Sequence, residues 1–79
     1  MAAYPYTIKV KINKPTGPRW MYINRYALAS LYRRQDAYTP NIRHGVFFQT
    51  IDSMQPYVDM LVTRYAAPIL DWKPVTIPA

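Results

Sequence analysis

Arginine and tyrosine are the side chains whose types and spacing could do chemistry in this chain. Between Arg19 and His44 lie five of the six arginines, interleaved with the aromatics Trp20, Tyr22, Tyr26, Tyr32 and Tyr38. Guanidinium forks bind carboxylate or phosphate through two parallel hydrogen bonds. Aromatic rings stack on bases, and Tyr with Arg anchors many protein interfaces. The interleaving therefore suits an acidic protein surface or a single strand of nucleic acid. The alternative is structural: in a thin domain some tyrosines complete the core and leave their hydroxyls at the rim. Arg33-Arg34 is the sharpest basic point, and an Arg33 to Asp36 pair on a solvated helix face is its duller reading. For a protein partner the expected contacts are Arg25, Tyr32, Arg33, Arg34, Tyr38 and Arg43. For nucleic acid they are Lys9 and Lys11, on the wet face of the first strand, with Trp20 and Tyr22, which share one face of the second, although no RNP-like motif is present.

The inventory disfavours catalysis. There is one histidine, His44, with no glutamate and no cysteine, and two of the four aspartates, Asp52 and Asp59, have structural uses at a helix start. A general base needs a positioned partner, and none is identifiable beside His44. One histidine without cysteine makes no usual zinc site, and two isolated glycines build no phosphate loop. The expectation is a non-enzymatic protein with no cofactor and no metal.

Charge is unevenly spread. Residues 1–50 carry eight Lys/Arg against Asp36 alone, while residues 51–79 carry Arg64 and Lys73 against three aspartates. A net charge of +6 and a pI near 9.8, concentrated in one half, is the footprint of a ligand for nucleic acid or for an acidic protein. Met1–Pro5 has neither a basic nor an apolar leader region, and no uncharged stretch approaches the roughly 20 residues that span a bilayer. No membrane association and a cytoplasmic location are therefore expected.

The elements that must position these residues follow from periodicity. Length allows one domain, residues 1–79, with an ordered core over about 5–77. Tyr6, Ile8, Val10 and Ile12 alternate with Thr7, Lys9 and Lys11, which predicts a half-buried strand. Pro15 and Gly17 supply a turn, and Arg19–Asn24 should pair back as a hairpin. Leu28, Leu31 and Tyr32 suggest a short helix over residues 25–36, with Asn24 as a possible N-cap. Tyr38 to Gly45 reads as loop, and Val46–Thr50 as a short apolar strand. The surest helix covers residues 53–67, with Met54, Tyr57, Val58, Leu61, Val62 and Tyr65 as its apolar stripe. Asp52 and Gln55 have capping-box spacing, and Ser53 is an equally good N-cap that places Pro56 in the first turn. Ile69–Ile77 is the last strand, and Pro74 argues for an edge or a bulge. The class is α+β, with an antiparallel sheet of three to four strands covered by one main helix, in the order β-β-α-β-α-β.

With Phe47-Phe48-Gln49-Thr50-Ile51-Asp52-Ser53 leading into the helix and Ile69-Leu70-Asp71-Trp72-Lys73-Pro74-Val75 closing the chain, residues 6–77 resemble in layout small bacteriophage-encoded accessory proteins. These include inhibitors of host RNA polymerase and anti-CRISPR proteins. The resemblance implies a stoichiometric blocker that docks on a larger nucleic-acid-handling complex. The chain departs from many such proteins in being basic, so mimicry of nucleic acid is not implied. Docking on an acidic patch is the leading expectation, followed by a single-stranded DNA or RNA binding module and then a structural subunit of a virion or ribonucleoprotein particle.

Overall fold

The structure, a computed structural model, describes residues 5–27, 33 and 37–77. It is an α+β domain. Four strands, β1 (Tyr6–Ile12), β2 (Arg19–Ile23), β3 (Tyr38–Thr39) and β4 (Ile69–Thr76), form one antiparallel sheet in the order β3-β2-β1-β4. One helix, α1 (Met54–Tyr65), covers one face.

The alternation in β1 divides the molecule. Ile8, Val10 and Ile12 are fully buried beneath the helix residues Met54, Val58 and Leu61. Lys9 and Lys11 point to the opposite side, because successive strand residues face opposite ways. The hairpin turn forms as its residues dictate. The Gly17 N–H donates to Lys14 O at 2.9 Å, Pro15 occupies the first central position, and Gly17 has φ +117°, which only glycine adopts readily.

Between β2 and α1 the chain departs from expectation. The predicted helix over residues 25–36 falls mostly outside the described residues. At its start Asn24 Oδ1 accepts from Tyr26 N at 2.9 Å, closing a local turn. The strand expected at Val46–Thr50 is absent, and β3 forms instead at Tyr38–Thr39, inside the stretch read as loop. Residues 45–48 act as a wedge: Gly45 bridges Asn24 at the end of β2, and Phe48 bridges Tyr6 at the start of β1. Val46 N donates to Ile23 O at 3.0 Å, and Thr7 Oγ1 donates to Val46 O at 2.7 Å. Thr7 is thereby buried with its hydroxyl satisfied.

The helix is entered through a 3-10 turn at Ile51–Ser53. Ser53 is the N-cap residue, but its side chain makes no cap bond and donates instead to Thr50 O at 2.8 Å. The capping box does not form either. Gln55 Nε2 donates to Asp59 Oδ1 at 2.9 Å, and its Oε1 accepts from Trp72 Nε1 at 3.2 Å, tying helix to sheet. Val62, expected in the apolar stripe, is 41% exposed. The helix ends on Ala66 in the left-handed conformation, φ 52° and ψ 39°.

Two substitutions test this account. A Cβ at Gly45 would lie 2.7 Å from Thr7 Oγ1, so Gly45→Ala should cost about 1–3 kcal/mol by displacing a buried hydroxyl from its acceptor, read as a lower urea midpoint at unchanged slope. Ala66→Gly relieves the left-handed cap and should stabilise by about 0.5–1 kcal/mol, read as a higher Tm.

Candidate nucleic-acid interface

Strand pairing places the sequence-selected residues on two different surfaces. Lys9 is opposite Tyr22 and Lys11 opposite Trp20 across β1 and β2, while Lys73 and Asp71 of β4 flank the same two lysines on the other side. The helix-free face thus carries two cross-strand rows, Lys73–Lys9–Tyr22 and Asp71–Lys11–Trp20. The ladder fixes how close they sit. Tyr6 N donates to Phe48 O and Ile77 N to Pro5 O, so even residues of β1 aim their N–H groups toward β2 and odd ones toward β4. Lys9–Tyr22 and Lys11–Trp20 are therefore non-hydrogen-bonded pairs, the closely spaced kind, with Cα atoms about 4.5 Å apart.

Lys9 and Lys73 are like charges directly opposite each other, an arrangement that destabilises a sheet. Their ammonium groups diverge onto aromatic faces: Lys9 Nζ lies 5.6 Å from the Tyr22 ring centroid and Lys73 Nζ 4.7 Å from that of Trp20. Asp71 is the one acid among the described residues of these rows, and its Oδ1 already accepts from Trp72 N at 2.8 Å. Trp20 is 37% exposed, and Tyr22 is half-buried.

The arginine set is dispersed. Arg25 is spent on structure: Nη1 donates to Arg43 O and, at 3.4 Å, to Gly45 O, and Nη2 donates to the Tyr26 hydroxyl at 2.8 Å. Its guanidinium lies 4.7 Å from the Tyr26 ring centroid and 4.8 Å from that of Phe47. It pins the wedge and presents no free fork. Tyr38, also expected as a contact, is 5% exposed and belongs to the core, because its position in β3 opposite Ile23 turns it to the helix side. Arg33 and Arg43 are exposed. Tyr32 and Arg34 lie outside the described residues.

Lys73 and Asp71 were not among the residues selected from sequence. Their signal was the alternation of β4 itself, since a strand beside β1 had to place every second residue next to Lys9 and Lys11. Among the described residues no cluster of His, Cys, Asp and Glu could hold a metal ion, and no helix is long and apolar enough to cross a membrane. No protein-family model, curated protein or solved structure matches the chain.

The structural role of Arg25 is testable. Arg25→Lys keeps the charge but loses the fork, so it should cost about 1 kcal/mol and speed amide exchange at Val46 and Phe48. An unchanged exchange pattern would remove Arg25 as the pin.

Proposed function

We propose that the helix-free sheet face binds single-stranded nucleic acid, and that the protein acts by binding and not by turnover. The observation that carries this is the opposed Lys9–Lys73 pair resting on Tyr22 and Trp20. A sheet that tolerates opposed lysines beside an exposed Trp20 and a half-buried Tyr22 breaks a local rule of stability, as functional or strained sites do. Phosphates would relieve the repulsion, and bases would take the ring faces. The exchange is favourable in magnitude: an exposed cation–π contact is worth about 0.5–1 kcal/mol, whereas stacking a base on an aromatic side chain is worth about 1–3 kcal/mol. A duplex offers phosphates but no free base faces, so it should bind more weakly. The competing picture, docking of an acidic protein through the arginine set, has less support now that Tyr38 is in the core and Arg25 is engaged.

Fluorescence anisotropy with labelled single strands at about 50 and 200 mM salt tests the reading. Two lysines that each displace counterions, Lys9 and Lys73, give a log–log salt slope of about −1.4, so affinity should fall roughly sevenfold across that span. Trp20→Ala should weaken binding by about 1–3 kcal/mol at an unchanged slope, whereas Lys73→Gln should flatten the slope. Absence of binding to single strands at the lower salt would defeat the proposal and return an acidic protein partner to first place.

A further inference from the structure

We infer that this face holds two consecutive bases, one on Trp20 and one on Tyr22, the only aromatic rings among the described strand residues of the face. The inference rests on the single-strand reading above and adds the size and boundaries of the site. Trp20 and Tyr22 are two residues apart on β2, so they project from the same side about 6.7 Å apart. Sheet-face aromatics at such positions stack successive unpaired bases.

Both ends of the platform are closed. Past Tyr22, Gly45 bridges Asn24, and a Cβ on Gly45 would come within 3.4 Å of Tyr22 Cβ. The Val46 carbonyl roofs Thr7 in the same direction, leaving Thr7 fully buried. Past Trp20 the strands run into the turn, where the next positions on this face, Asn13 and Pro18, carry no aromatic ring. Within these limits each ring has its own ammonium group, Lys73 on Trp20 and Lys9 on Tyr22. The two subsites are thus repeats of one unit: a ring for the base and a lysine for the neighbouring phosphate. Asp71, opposite Lys11 in the Trp20 row, repels phosphate at that corner and bounds the site on the β4 side.

Competition by unlabelled oligothymidylates of one, two, three, four, six and ten nucleotides against a labelled decamer tests the size. Affinity should rise steeply up to two nucleotides. From two to ten nucleotides it should then rise by only about ninefold, as one binding register becomes nine. A third and fourth stacking position would instead multiply affinity by roughly five- to 150-fold per added base, and that result would overturn the two-base site. Trp20→Ala and Tyr22→Ala should each weaken the decamer as much as the trimer, because no other described strand residue of this face carries a ring to take over. A decamer indifferent to both substitutions would overturn the assignment even though nucleic acid binds. A labelled decamer that does not bind the native protein at all defeats the single-strand reading itself, and is thereby told apart from a site of the wrong size.

Discussion

The alternation of β1 is the constraint on which the rest of the structure depends. It is the strand flanked by both β2 and β4, and its even residues Ile8, Val10 and Ile12 are the floor on which α1 rests. A slip of one residue in its pairing would bury Lys9 and Lys11 and expose the three aliphatic side chains. Burying an unpaired ammonium costs far more than any cross-strand contact returns, so the register is strongly specified. The same constraint produces the candidate site. Once the isoleucines face the helix, the lysines must face outward, and antiparallel pairing delivers Trp20, Tyr22 and Lys73 beside them without further instruction.

The wedge at residues 45–48 is the second determinant, and it acts by limiting the open face. β1 and β2 pair over Lys9–Ile12 and diverge on the Tyr6 side of Lys9, leaving backbone groups of Tyr6 on one strand and of Ile23 and Arg25 on the other side for Phe48, Val46 and His44 to satisfy. A buried unpaired carbonyl or N–H costs about 1–3 kcal/mol, which is why the gap is filled by chain and not left open. Gly45 fits because Thr7 Oγ1 occupies the space a Cβ would need, and the two backbone bonds of Arg25 hold the turn from outside. Arg25, one of the six residues expected to contact a partner, is thus the reason the Tyr22 end of the platform has a fixed edge.

Much of this was legible in the sequence where periodicity is strong. β1, the Pro15–Gly17 turn, the return strand, α1 and β4 each follow from local patterns that their tertiary environment reinforces. The failures share one physical cause. β3 is two residues long, and the bridges at Gly45 and Phe48 are single pairs, so they are made by distant partners and leave no period in their own segments. Cap chemistry failed for a related reason: Gln55 had a better use in Trp72 across the helix–sheet junction than in its own first turn. Of the two candidate sets, strand alternation alone put Lys9 with Lys11 and Trp20 with Tyr22, and the β1–β2 register brings the two pairs onto one face. The arginine set depended on how residues 25–45 fold, and burial of Tyr38 together with the engagement of Arg25 could not be read from spacing.

The edges of the sheet are poorly suited to strand addition, which is consistent with the open face as the proposed binding surface. Past the register shift beside Lys11 and Ile12, the β4 residues that donate to β1 are Asp71, Lys73 and Val75, so the outward N–H positions there are Trp72, Pro74 and Thr76. Proline has no such group, and the Trp72 N–H is taken by its neighbour Asp71 at 2.8 Å. An incoming strand would find two of three donors missing along the middle of β4, and natural sheets blunt their edges by such means. The other edge, β3, offers two residues, too few for a stable added strand. With backbone recognition unavailable at both ends, what the sheet presents is side chains, and the side chains it presents together are cations laid on aromatic rings.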